Sequence, residues 1–158
     1  MTTLRPITDA KYAAWLQAVV PAYAQDKVAA GQWAASPALA LSQQAYARLL
    51  PQGRHTAQQH LYTIADPAGH AVGTIWMAEE EQAGRRIGYV YDVLVAPAQR
   101  RRGHALRAFR ALEQEAARLG LAGIALHVFG HNQAAQALYR KLGYAITDLN
   151  LFKPVGGG

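Results

Sequence analysis

The spacing of apolar positions changes several times along the chain, and each change marks an element. Leu4 to Ile7 reads as a short first strand. From Asp9 the spacing turns helical, with Asp9 as N-cap and Tyr12, Leu16 and Val19 on one stripe. Pro21 is predicted to break or kink this helix, leaving a second piece that carries Tyr23 and Lys27 up to Gly31. Ser36 and Pro37, a cap and a proline at the first helical position, open a helix to about Leu50, and Pro51-x-Gly53 stops it. Strands follow at Leu61 to Ala65 and Ala71 to Ala78, parted by the turn Asp66-Pro67-Ala68-Gly69. The acidic trio Glu79, Glu80 and Glu81 then leads through a hairpin containing Gly84 into a central strand.

That strand, Tyr89 to Val95, is β-branched or aromatic at nearly every position, with Asp92 as its one charge. Such a run fits a strand covered on both faces. Pro97 has no N–H to donate and ends the ladder. A helix from Gly103 to Leu119 turns Leu106, Phe109, Leu112, Ala116 and Leu119 inward and closes at Gly120. Ile124 to Phe129 is a buried strand, so strand, helix and strand imply a right-handed parallel crossover. A last helix from Asn132 to Gly143 turns Leu138 and Leu142 to the core.

Composition narrows the class. With 158 residues, 51% hydrophobic and 16% charged, the chain suits one globular domain, predicted over 1–154, with 155–158 a disordered glycine tail. No apolar run approaches the ~20 residues needed to span a bilayer, so no membrane partner is expected. The opening MTTLRPITDA has no hydrophobic signal core, and the expectation is a cytoplasmic protein. The absence of cysteine excludes disulfides, cysteine-based zinc sites and a thiol nucleophile.

The charge of +6 is localised. Between Gln99 and Arg118 lie Arg100, Arg101, Arg102, Arg107, Arg110 and Arg118 against Glu113 and Glu115, which carries four of the six net charges. Such a field suits a ligand with several phosphates. It would also suit an RNA backbone, but no aromatic-interleaved basic strand accompanies it, and nucleic acid is disfavoured. Arg107, Arg110 and Arg118 read as a solvated basic face. Within this segment stands Arg100-x-x-Gly103-x-Ala105, small residues at a helix start where free N–H groups favour an anion. Downstream comes Asn132-x-x-Ala135-x-x-x-Tyr139-x-x-x-Gly143-Tyr144. Asn132 and Tyr139 are about two turns apart and share a helical stripe, kept low between them by Ala135. The plainer alternative makes Asn132 an N-cap and Tyr139 a core aromatic.

Together these two motifs resemble the pyrophosphate loop and the cofactor-arm helix of the GNAT superfamily of acetyl-CoA-dependent N-acetyltransferases. The words at Tyr23 to Lys27, Ala30 to Trp33 and Leu49 to Gly53 are similar to an uncharacterised bacterial subgroup, which supplies no substrate. The resemblance implies an α+β fold, a twisted mixed sheet of six to seven strands flanked by about four helices. It implies acetyl-CoA (coenzyme A) as cofactor, held by Val93, Leu94, Val95, Arg100, Arg101, Arg102, Gly103, His104, Ala105, Leu106, Asn132, Ala135 and Tyr139.

It further implies direct acetyl transfer to a primary amine of a small molecule or peptide. Backbone N–H groups of Leu94 or Val95, aimed by a bulge in their strand, would stabilise the oxyanion. Tyr139 would protonate the leaving thiolate, and Asp92, Glu79 or Glu80 would take the amine's proton. Each candidate base has a plainer reading, Asp92 as a sheet hydrogen-bonder and the glutamates as a solvated turn. Glu79 and the aromatic residues Tyr23, Trp33, Tyr89 and Tyr91 are the expected acceptor contacts, hinting at a cationic amine. His55 and His60 are placed to reach the acceptor cleft, and His127 reads as a core residue. His127 and His131 are four apart across a strand end, so no metal is assigned. An alternative is an acyl-CoA-binding or RNA-contacting module without turnover. A homodimer is left open.

Overall fold

The computed structural model describes residues 1–156. They form β1 (Thr3–Pro6), α1 (Asp9–Ala29), α2 (Ala38–Leu49), β2 (Gln59–Ala65), β3 (Ala71–Gln82), β4 (Arg85–Val95), α3 (His104–Arg118), β5 (Ile124–Leu126) and α4 (Gln133–Leu142). One mixed sheet runs in the order β1-β2-β3-β4-β5, antiparallel throughout except that β5 is parallel to β4. This is the expected α+β class with five strands rather than six or seven. After Gly143 no further strand forms among the described residues, and Ile146, Leu149, Leu151 and Phe152 stay exposed. Of the expected glycine tail, Val155 and Gly156 are exposed and 157–158 lie outside the described residues.

Two cores cover the two faces of the sheet. On one, α1 and α2 bury Trp15, Val19, Val20, Tyr46 and Leu50 against Leu61 and Trp76. On the other, α3 and α4 bury Phe109, Leu112, Ala116 and Tyr139 against Ile64, Val72, Ile75, Met77 and Val90. Alternation along β3 explains the division, since Trp76 and its neighbours Ile75 and Met77 must point to opposite faces. None of the helices is long and apolar enough to cross a membrane, among the described residues.

Several expected boundaries move. Pro21 does not end α1: the buried residues Trp15, Val19, Val20 and Ala24 pack on both sides of it and hold the helix through the missing N–H. The buried Ser42 hydroxyl ties α2 to this point by donating to the Val20 carbonyl at 2.6 Å. Thr8, rather than Asp9, caps α1, accepting from the Lys11 N–H. Ser36 caps nothing; Pro37 holds the N-cap position of α2 without a side-chain bond. Glu79, Glu80 and Glu81 are strand residues of β3. The hairpin turn is Ala83-Gly84, both at positive φ (53° and 76°), the combination a two-residue turn between twisted strands requires.

Candidate active site

A bulge in β4 shapes the site. Trp76 lies opposite Asp92 and Met77 opposite Val90, so Tyr91 is the extra residue. The bulge puts Tyr91 and Asp92 on the same face, while the flanking Val90 and Val93 both pack into the core under α3. Tyr91 stacks on Trp76 with ring centroids 4.7 Å apart, and Asp92 accepts from Trp15 Nε1 at 3.2 Å. β5 pairs with β4 only from Gly88 to Val90, up to the bulge, and is therefore shorter than the predicted Ile124 to Phe129. Beyond it the β4 edge from Tyr91 to Val95 faces a gap.

The ladder decides which backbone groups line that gap. The Ala96 N–H donates to the Val72 carbonyl at 2.9 Å, and a Cβ on Gly73 would lie 2.2 Å from the Leu94 oxygen. Alternation along the strand therefore aims Leu94 at β3 and Val93 and Val95 into the gap. Of the two oxyanion donors expected from sequence, Leu94 points the wrong way because its polar groups belong to the β3 ladder. Gly73 went unnoticed in the sequence, although only glycine allows this close approach.

Asp92 keeps some solvent contact but sits in dense surroundings. Burial pushes its carboxyl up to about 6, opposed by the bond from Trp15, which favours the ionised form. Glu80 lies on the same face as Trp76 and accepts from the Tyr91 hydroxyl. Tyr89 and Tyr91 stand 4.7 Å apart, and Tyr91 and Tyr23 of α1 both pack against the α1–α2 core. Trp33 meets Tyr23 edge-on at 5.6 Å. The seat between those two rings is taken by the chain's own Lys27, with Nζ 5.6 Å from Tyr23 and 5.4 Å from Trp33. That pair therefore offers no free aromatic wall to an incoming cation.

The loop after β4 carries the cluster of arginines. Pro97–Gln99 forms one 3-10 turn, Arg101 and Gly103 adopt positive φ (63° and 79°), and α3 begins. No backbone N–H from Arg101 through His104 and Ala105 to Leu106 has a hydrogen-bond partner among the described residues. Six consecutive free donors at a helix start make an anion cradle. Arg100 pins the loop by donating to the Val95 carbonyl at 3.1 Å. Arg101 and Arg102 are exposed, and the buried His104 opens the helix. Arg107, Arg110 and Arg118 are exposed, as expected of a solvated face, and Arg107 in addition donates to the Arg102 carbonyl at 2.7 Å and to the Thr2 hydroxyl at 3.2 Å, bracing the loop from behind. Arg118 forms a surface ion pair with Glu115.

Across the gap, α4 supplies Tyr139. Its ring is buried edge-on to Phe109 at 5.4 Å and beside Tyr144 at 5.7 Å, while its hydroxyl makes no hydrogen bond within the described chain. Burial and then the Asp92 charge across the bulged edge push that hydroxyl up to about 12. Asn132 caps α4, accepting from the Ala135 N–H at 3.1 Å, and Ala135 is half-buried on the same helix.

Some expected residues lie elsewhere. Glu79 alternates with Glu80 and points to the opposite face, where it binds His60 at 2.7 Å and Arg86. His60 stacks on Tyr62, a member of the α3-side core, so neither residue reaches the acceptor side. His55 is exposed in a 3-10 turn, Gly53–His55. His127 follows β5, its ring edge-on to Phe129 at 4.9 Å, and burial followed by the nearby Lys27 lowers its proton affinity. No three acidic or histidine side chains converge as a metal site among the described residues. Trp15 and Lys27 were missed as site residues. Trp15 hid on the stripe assigned to Tyr12 and Leu16, and Lys27 was noticed only as part of a subgroup word.

Comparison with known proteins follows the same lines. The model described as "Acetyltransferase (GNAT) family" matches residues 17–144. Two relatives come from Bacillus subtilis (strain 168). The uncharacterised N-acetyltransferase YycN is 33% identical over 150 residues, covering 95% of this chain and 96% of that one. The uncharacterised N-acetyltransferase YdgE is 30% identical over 151 residues, 96% of each. The crystal structure of YycN is similar with a TM-score of 0.92 at 32% identity, over 98% of this chain and 99% of that one. AAC(6')-Iy, solved with the bisubstrate analogue CoA-S-monomethyl-acetylneamine, shares the fold at a TM-score of 0.61 and 15% identity, over 99% of each chain.

Proposed function

The chain belongs to the GNAT acetyltransferase family, and on that premise we propose that it transfers an acetyl group from acetyl-CoA directly to a primary amine. The observation that carries the reading is the run of unpaired N–H groups from Arg101 to Leu106 beside the open edge of β4. Those six donors and the surrounding arginines fit a pyrophosphate, and the gap edge at Val93 and Val95 offers the backbone groups an amide-bearing arm would pair with. Acetyl-CoA, when bound, supplies an activated thioester. Asp92 holds the acceptor's proton: a carboxyl poised near 6 is ionised at neutral pH and still basic enough to accept. Glu80, Tyr91 and Tyr89 position the amine on the same face. The Val95 N–H is aimed to stabilise an oxyanion, and the Tyr139 hydroxyl keeps its proton until a thiolate needs it. With no cysteine in the chain, no cysteinyl intermediate forms.

The test is calorimetric titration with acetyl-CoA beside thiol release over a panel of amines. Binding in the micromolar range and amine-dependent release are expected. No acetyl-CoA binding would overturn the reading, and binding without release from any amine would favour an acyl-CoA-binding module instead.

A further inference from the structure

Among the described residues, Asp26, Glu80 and Asp92 on the acceptor side each have one partner and keep further acceptor capacity. Asp26 faces His131 at 3.2 Å, Glu80 takes the Tyr91 hydroxyl, and Asp92 takes the Trp15 indole. Lys27 stands among them. No carboxylate lies within ion-pair distance of its Nζ among the described residues. Its ammonium is held over the faces of Tyr23 and Trp33, and one of its three donors goes to Gln32 Oε1 at 2.8 Å.

The seat is built. The N–H groups of Gln32 and Trp33 both donate to the Lys27 carbonyl, at 2.9 and 3.3 Å, which folds the end of α1 back over its own side chain. A surface lysine on a flexible stem is usually left to solvent; this one is half-buried and oriented, with donors to spare. Its place is the mouth of the cleft. Tyr23, one wall of the seat, lies 6.4 Å from Phe129 just past β5, and Lys27 itself acts on His127.

We propose that Lys27 recognises an anion on the acceptor, and that the acceptor is a primary amine carrying a carboxylate. Its amine lies toward Asp92 and Glu80, and its acid toward Lys27. The inference rests on the transferase reading above and specifies the substrate class of the same site. A single fixed cation suits a monoanion such as a carboxylate rather than a polyanion, and it repels acceptors that are cationic throughout.

The experiment uses chain-length pairs: ω-amino acids from glycine to 6-aminohexanoate, each beside the alkylamine of equal length, with putrescine and cadaverine as cationic controls. Thiol release gives kcat/KM, and saturation-transfer NMR in the presence of coenzyme A reports binding independently of turnover. At least one amino acid should exceed its alkylamine and both diamines by tenfold or more. Lys27→Met should abolish that preference through a rise in KM, Lys27→Arg should retain it, and Lys27→Glu should turn it toward the diamines. Equal use of both members of every pair overturns the proposal, as does a preference untouched by Lys27→Met. So does a panel in which no amino acid binds or reacts. In each of these cases intact acetyl-CoA binding leaves the transferase reading standing, whereas loss of cofactor binding in the parent protein would strike that reading itself.

Discussion

Trp15 Nε1 donates to Asp92 Oδ2 at 3.2 Å, joining the first helix to the bulged strand across a separation of 77 residues. Burial and this bond pull the carboxyl in opposite directions: burial favours the neutral form, and the indole N–H favours the charged one. If Asp92 takes the acceptor's proton, turnover falls on the acidic side with a midpoint near the group's value of about 6. Trp15→Phe removes the donor and should move that midpoint upward. Asp92→Asn should lower kcat by ~10²–10⁴-fold with acetyl-CoA affinity near normal. Rate measurements from pH 5 to 9 decide it; an unmoved midpoint in Trp15→Phe would detach Asp92 from the profile.

The same carboxyl should leave a mark on stability. An acid whose folded pKa exceeds its unfolded one binds its proton more tightly when folded. Its contribution is fully present below the unfolded value, about 3.9, and is lost as pH rises through about 6. The difference amounts to roughly 3 kcal/mol. The lowered carboxyls of Glu79, Glu115, Asp9 and Asp66 act in the opposite sense, so the informative quantity is parent minus Asp92→Asn. Denaturant unfolding should show the variant gaining on the parent between pH 4 and 7. Parallel stability curves would mean that Asp92 is as well solvated folded as unfolded.

Why some of this was legible beforehand follows from the range of the interactions involved. Helix and strand identity, the Gly103 loop and the Gly143 cap depend on local spacing and backbone freedom, which a sequence displays. Pro21 was misjudged because what carries α1 through it is packing against a sheet whose residues lie far along the chain. The Glu79 and Glu80 assignments required knowing that β3 continues to Gln82, since in a strand adjacent residues part to opposite faces. The Trp15 bond to Asp92 arises only when elements 77 residues apart meet, and no local signal encodes it. The Lys27 seat is local, built from Tyr23, Gln32 and Trp33, but it depends on the chain folding back after α1.

The loop assignment is tested at Gly103. Its φ of 79° favours glycine, and an added Cβ would lie 2.7 Å from an Arg107 nitrogen, a flexible group able to yield. Gly103→Glu combines backbone strain of about 1 kcal/mol with an anion placed at the cradle. Acetyl-CoA affinity should drop at least tenfold while the melting temperature changes by a few degrees. Raising salt should weaken parent binding, because part of the attraction to the arginine cluster is Coulombic. Unchanged affinity in calorimetry would refute the cradle.

Tyr139 is built to separate packing from chemistry. Its ring belongs to the aromatic group of Phe109 and Tyr144, and Tyr139→Phe keeps that ring. Fold and cofactor affinity should survive the change. The variant loses only the hydroxyl, and loss of general-acid help costs ~10²–10⁴-fold in rate. Turnover equal to the parent would mean that the thiolate leaves unaided, and weakened binding with intact turnover would reduce Tyr139 to a packing residue.

Glu79 and Glu80 are neighbours in sequence with opposite surroundings, so the pair serves as its own control. Glu79 binds His60 and Arg86 on the α3 side, whereas Glu80 faces Tyr91 beside the bulge. Glu80→Gln keeps an acceptor for the Tyr91 hydroxyl and removes only a negative charge. That charge is one of two available to hold an ammonium on this face, so KM for the amine should rise about tenfold, equivalent to roughly 1.4 kcal/mol. Glu79→Gln should leave kcat and KM within twofold and lower stability by no more than about 1 kcal/mol, the range of partly exposed ion pairs. Both constants are read in one steady-state experiment once an acceptor is in hand. If Glu79→Gln impaired turnover as deeply as Glu80→Gln, alternation along β3 could not be what sorts these residues, and the acceptor would have to contact both faces of the sheet.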